Sequence, residues 1–145
     1  WSQELGRDIR PGTFGDNLTI AGFPDDLNAG DRLLIGDVIL EATAPRIPCS
    51  TFAAQMQDSN FGLRFRRAER PGVYFRVLNE GAVTAGEPVT FIENPDPSVS
   101  RREMFRLWFE PQPAPDAVAR LLEAPVAERA RERFRKKLEE ARAAS

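Results

Sequence analysis

In the first two thirds of the chain the apolar positions recur mostly at a spacing of two. Val73, Phe75 and Val77 fall on one face of an extended run over 73–78, and Tyr74, Arg76 and Leu78 on the other. Asn79-Glu80-Gly81 turns this run, and Ala85-Gly86-Glu87 turns again before a second run over 88–92. Upstream, the runs 32–35 and 38–42 flank Gly36-Asp37, which is the signal of a two-residue hairpin. The short segment 17–20, apolar at Leu18 and Ile20, adds one more expected strand. Strands at such short intervals, with turn signals between them, predict a mainly β fold over 1–95, a barrel or a sandwich.

The pattern changes after residue 95. Pro95 and Pro97 make 93–97 a linker, because proline blocks both helix and ladder. Ser100-Arg-Arg-Glu103 is a capping box that opens a helix to about Phe109, with Phe105, Trp108 and Phe109 on one face. Pro111, Pro113 and Pro115 stop it. Asp116 is placed to cap a second helix over 117–123, and Pro125 to sit in the first turn of a third that runs to about Ala141. Val126, Ala130, Phe134 and Leu138 form the apolar stripe of the third. The chain therefore divides into a β part, 1–95, and a helical part, 96–145. Charge divides with it: 1–95 carries nine arginines, no lysine and thirteen acidic residues, while 96–145 carries eleven basic and nine acidic residues. The basic run of the last helix is interleaved with acids at Glu132/Lys136, Arg135/Glu139 and Lys136/Glu140. It reads as a solvated helix face, since interspersed carboxylates repel phosphates.

Composition narrows the chemistry. The 145 residues are about one domain's worth, and no apolar run approaches the roughly 20 residues of a membrane span. A net charge of −2 excludes a general polyanion binder, so nucleic acid and membrane are both excluded as expected partners. There is no histidine, which removes imidazole triads and His-ligated metals. The single cysteine, Cys49, removes intrachain disulfides, zinc fingers and paired redox thiols. It leaves a strand through a loop stiffened by Pro45 and Pro48, with Arg46 three residues upstream, where a guanidinium lowers a thiol pKa if it comes close. A lone cysteine is also commonly a small buried hydrophobe, and the residues themselves leave both readings open. The loop 11–19, with two glycines and Asp16-Asn17, suits an anion on its backbone amides or a plain turn. Arg76, mid-strand on the face of Tyr74, either has an anionic partner or lies on an exposed sheet face.

Five segments stand in a particular order: FGDNLT at 14–19, GDRLLIG at 30–36, PRIPC at 45–49, GVYFRVLNEG at 72–81 and AGEPVTF at 85–91. In that order the chain resembles the MOSC domain, named for the C-terminal part of molybdenum cofactor sulfurases. SVSRREMFRLWF at 98–109 is similar to the start of the three-helix extension of the 6-N-hydroxylaminopurine-resistance subgroup. The resemblance implies a MOSC-like β-barrel followed by a small helical C-terminal extension. It implies a molybdenum cofactor (molybdopterin) with Cys49 as metal ligand and catalytic residue. It sets Arg46 and Arg76 against the cofactor's anionic parts, and Asp16, Asn17, Thr19 and Tyr74 at its pocket. The implied activity is reduction of small N-hydroxylated bases and amidoximes in the cytoplasm. With no flavin or iron–sulfur motif in the chain, electrons come from an external flavoprotein or iron–sulfur protein. A homo-oligomer is compatible with this reading. The alternatives are a non-catalytic carrier of the cofactor or sulfur-handling module, and a barrel kept for interaction with an empty site. Two departures stand out. Asp16 replaces the family's usual glutamate and reaches one methylene less far. The barrel strands and His-Gly-Gly stretch that usually precede FGDNLT are not in this sequence, so the expected barrel lacks its N-terminal strands.

Overall fold

The computed structural model describes residues 1–96 and 98–143; Pro97, the end of the expected linker, lies outside them. After a short helix α1 (Ser2–Leu5), strands β1 (Arg32–Ile35) and β2 (Val38–Pro45) form the expected hairpin. Ile35 faces Val38 across its end, and Gly36 takes the left-handed φ of +54° that this turn requires. β3 (Val73–Asn79) pairs with the outer edge of β2, and β4 (Val89–Ile92) with that of β1. The result is an antiparallel sheet in the order β3-β2-β1-β4. One face is apolar: Leu33, Ile35, Val38 and Leu40 pack with Phe75, Val89 and Phe91, and with Ile20 and Phe23 from the preceding loop. Elsewhere on the sheet the buried carboxylate of Glu41 lies 3.2 Å from Arg32 and 3.7 Å from Arg76. The anionic partner that Arg76 needs is thus within the protein.

The expected mainly β barrel is met only in part. Among the described residues the sheet is open, with β3 and β4 as its edges, and helix outweighs strand. The largest reason is a pair of short helices between β2 and β3, α2 (Ser50–Met56) and α3 (Phe61–Ala68). Neither has a side-chain cap, and they end on Gln57 and Glu69 in the left-handed region at φ 54° and 49°. Local start and stop signals are therefore missing, and burial decides: Phe52 and Met56, then Phe61 and Phe65, face inward at a spacing of four. The strand expected over 17–20 is irregular. The loop before it closes on the Asp16 carboxylate, which accepts the Gly12 N–H at 3.1 Å and the Thr19 hydroxyl.

Two helical cores flank the sheet. In the first, Phe52, Phe61, Phe65 and Phe105 are buried together, with Trp1 and Phe14 packed on them. Phe52 meets Phe61 and Phe65 edge-on, with ring centroids 5.1 Å apart in each pair. In the second, α4 (Arg101–Phe109), α5 (Pro115–Glu123) and α6 (Glu128–Ala143) enclose Met104, Val118, Leu121 and Phe134 against Ala29 and Ala44. The Ser100 hydroxyl accepts the Glu103 N–H at 3.1 Å, as the capping box predicts. The Glu103 carboxylate pairs instead with Arg120 at 2.6 Å. Pro125 lies ahead of α6 rather than in its first turn.

The basic face of α6 is only partly the solvated face expected. Arg131 donates to the carbonyls of Leu122 and Ala124 at the end of α5. Lys137 Nζ donates to Leu107 and Trp108, each at 3.0 Å, and to Glu110 at 2.5 Å, closing α4. Replacing Lys137 by methionine removes these three bonds, leaving the Trp108 carbonyl only the 3.4 Å bond from Arg133, and is expected to destabilise the protein by about 1 kcal/mol. Lys136, whose exposed pair with Glu140 spans 3.9 Å, is expected to tolerate the same change within roughly 0.5 kcal/mol. Urea denaturation of the two variants in parallel checks the contrast; equal midpoints would refute it.

Candidate functional site

At the end of β2, Pro45 pairs with Val73, and the Arg46 N–H donates to the Gly72 carbonyl at 2.9 Å. The chain then leaves the sheet and enters α2 with Cys49 as its N-cap residue, in extended backbone at φ −134°, ψ 173°. That position turns the side chain toward the free amides of the first helical turn, and the thiol is exposed. The sulfur makes no capping hydrogen bond of standard geometry. Its pKa is nonetheless lowered below 9.0. The Phe52 N–H contributes most, slight burial opposes it, and the Thr51 N–H, the Arg46 charge and the Thr51 hydroxyl add to it. Of the two readings of a lone cysteine, the structure excludes the buried hydrophobe.

The thiol's lowered pKa has a direct consequence. Alkylation of Cys49 by iodoacetamide is expected to rise with pH to a midpoint below 9.0. Thr51→Val, which removes one hydroxyl, is expected to move that midpoint up. A midpoint at or above 9.0 in the parent chain would contradict the geometry. By linkage, a group whose folded pKa is depressed adds stability above that pKa, reaching its full value above 9.0, and loses it as pH falls.

Arg46 ties the glycine-containing loop to this turn. Its Nε donates to the Phe14 carbonyl at 3.2 Å, and Nη1 to that of Ile47 at 3.3 Å. The guanidinium lies over the Phe52 ring, 4.2 Å from the centroid. Gly15 adopts φ +74°, and a β-carbon there would stand 3.8 Å from Arg46 Nη2. Gln55, on α2, holds the neighbouring carbonyl of Thr13 at 2.7 Å. Beyond these anchors the loop closes on Asp16. Its pKa is lowered although burial opposes, because the Thr19 hydroxyl and the Gly12 N–H stabilise the carboxylate. Asn17 is exposed, and its side chain makes no hydrogen bond among the described residues.

Cys49, Arg46 and the loop bearing Asp16, Asn17 and Thr19 are therefore assembled at one end of β2. Arg76 is not with them. It pairs with Glu41, four residues or about 13 Å back along the strand from Pro45. Its guanidinium is taken by that carboxylate and, at 3.5 Å, by the Val126 carbonyl. Tyr74 stands opposite Ala44 and is more than half exposed. Gln55 and Thr51 stand beside these residues and were not foreseen, because their place depends on a helix the local pattern does not announce. Among the described residues no three His, Cys, Asp or Glu side chains gather to hold a metal on protein ligands alone. Among them, too, no helix is long and apolar enough to cross a membrane.

Residues 1–90 match the family model of the MOSC domain. The chain belongs to the MOSC domain family. It is similar to YflK of Bacillus subtilis, with 29% identity over 139 residues, which are 94% of this chain and 63% of that protein. It is also 32% identical over 91 residues, 61% of this chain, to a protein named "Reductase" from Gibberella moniliformis, of which it covers 16%. The chain thus spans under two thirds of the length of these relatives. The crystal structure of YiiM from Geobacillus stearothermophilus superposes with a TM-score of 0.88 at 28% identity, covering 95% of this chain and 72% of that one. YiiM from Escherichia coli shares the fold at a TM-score of 0.85 and 20% identity, covering 97% and 72%.

Proposed function

We propose that this chain is the molybdopterin-binding part of a MOSC reductase, with Cys49 as the sulfur donor to the metal. The observation that carries this reading is an exposed thiol of lowered pKa, set on a helix start beside an anchored loop in a MOSC fold. The donor set fits the group. A single soft thiolate suits molybdenum whose remaining ligands arrive with the pterin, and no competing cluster of hard ligands surrounds it. Arg46 keeps Nη2 unbonded to protein and is suited to an anionic group of the cofactor. Asn17 offers a free amide, while Asp16 and Thr19 spend their polar atoms shaping the loop. Arg76 and Tyr74 have no part in this version of the site.

The bound cofactor would supply two-electron oxygen-atom chemistry, in which an N-hydroxylated compound takes up two electrons and two protons and gives the amine and water. The chain's own contribution is to fix the thiolate on the α2 amides and to anchor the 11–19 loop through Arg46 and Gln55. The electrons come from a separate donor. The match to a protein named "Reductase" supports this direction.

The test is to purify the chain from a host that makes the cofactor, determine molybdenum and pterin, and assay 6-N-hydroxylaminopurine and benzamidoxime with reduced methyl viologen. Bound cofactor with turnover is the expected result. Bound cofactor without turnover on either substrate would favour the carrier or sulfur-handling alternative, and absence of cofactor would reject both.

A further inference from the structure

We infer that the outer face of α3 is the docking surface for an acidic one-electron carrier protein, an inference that rests on the reductase reading above. Phe61 and Phe65 point into the aromatic core, which leaves Leu63, Arg64, Arg66 and Arg67 facing out, with Arg70 just beyond the helix end. No acidic residue lies within α3, although the whole chain has a net charge of −2. Two concavities, each of about 470 Å³, flank this helix. One lies toward α4 and is lined by Arg66, Arg67, Arg106 and Phe109; the other lies toward α1 and is lined by Glu4, Arg64, Arg67 and Arg70. Arg67 stands in both and has no hydrogen-bond or ion-pair partner among the described residues.

Two further cations are held loosely. Arg64 pairs with Asp58 at 3.2 Å and Arg70 with Glu4, with arginine side chains 44% and 48% exposed. Exposed pairs of this kind contribute about 0–1 kcal/mol. Arg106, by contrast, is held by Glu69 through three hydrogen bonds of 2.5–2.9 Å. Arg66 lies over Phe109, 4.6 Å from the ring centroid. An arginine ridge between two grooves accepts separate protruding carboxylates. Glu4, Glu69 and Glu110 on the rims would instead oppose a continuous phosphate chain. The occupant with matching chemistry is the acidic surface of a protein.

Placement suits electron delivery. α3 packs on α2 through Phe52, Phe61 and Phe65, and α2 begins at Cys49. Packed helices lie about 8–10 Å apart, so a carrier on the outer face of α3 is separated by about one helix diameter from the helix that bears the thiolate. Each turnover would draw one electron from each of two reduced carriers and two protons from water. The N–O bond breaks, N–H and O–H bonds form, and amine, water and two oxidised carriers leave.

The experiment titrates the full chain with oxidised flavodoxin and, separately, with a plant-type ferredoxin, at low and physiological ionic strength. The comparison set is the parent chain, Arg67→Glu, Arg64→Glu/Arg67→Glu and, on α6, Arg129→Glu. Arg67→Glu removes no internal partner, so its folding is not at risk. Salt-sensitive binding of at least one carrier by the parent, weakened about tenfold or more in the double variant and unchanged in Arg129→Glu, is the expected result. Affinity indifferent to both reversals, or no carrier binding to the parent, overturns the proposal. The rate with reduced methyl viologen separates the two levels of inference. Charge-sensitive docking with no viologen-driven reduction rejects the reductase reading and leaves the surface. Viologen-driven reduction with indifferent docking rejects the surface alone.

Discussion

The Cys49→Ser chain is expected to fold like the parent and to retain no molybdenum. The thiol is exposed and contributes no core packing, so nothing in the interior is lost. Serine is among the preferred N-cap residues, so the start of α2 keeps or gains stability, by up to about 1 kcal/mol. What disappears is the thiolate. The Phe52 and Thr51 amides and Arg46 lower the pKa of the thiol, but a serine hydroxyl starts too high for the same influences to ionise it. A neutral hydroxyl is also a poor ligand for a metal that favours soft sulfur. Metal content and reduction of N-hydroxylated substrate are therefore expected to fall to background together, while the melting temperature stays within a few degrees. Retention of both activities by the serine variant would remove Cys49 from the site.

Phe65→Ala is expected to be the most destabilising single change in the aromatic core. The ring is 2% exposed. It stacks on Trp1 with centroids 5.9 Å apart, and meets Phe52 edge-on at 5.1 Å and Phe105 at 6.2 Å. Removing it leaves a cavity where α2, α3, α4 and the N-terminal segment converge. Large-to-small aromatic changes of this kind cost about 3–5 kcal/mol. For a chain of this size that is a melting decrease of roughly 8–15 °C. Phe65→Leu keeps most of the volume and is expected to lose less than about 1.5 kcal/mol. The alanine variant is also expected to loosen the 11–19 loop, because Phe14 packs on the same ring at 6.3 Å. Faster proteolytic nicking in that loop, measured beside the melting curve, checks this. A decrease of only a degree or two would show that the cluster repacks freely.

Part of the candidate site's placement was legible along the chain. The order of the FGDNLT and PRIPC segments brought Asp16, Asn17, Thr19, Arg46 and Cys49 into one hypothesis, and the fold sets them at one end of β2. The same reasoning placed Arg76 there too, because a mid-strand arginine signals an anionic partner without saying which. Glu41, on the neighbouring strand, meets that need from inside the protein.

The sequence by itself determined what depends on neighbours a few residues apart. The Gly36-Asp37 hairpin, the Ser100 cap on α4 and the β3 and β4 strands follow from turn conformation, capping and alternation, which act within about one turn or one strand pair. Only the tertiary structure decided the rest. Arg46 meets Phe14 across 32 residues, Gln55 meets Thr13 across 42, and Lys137 closes α4 across 29 to reach Trp108. α2 and α3 exist without caps because Phe52, Phe61 and Phe65 are buried against Phe105 and Phe14. Such contacts form only once the chain is packed, so no local pattern encodes them.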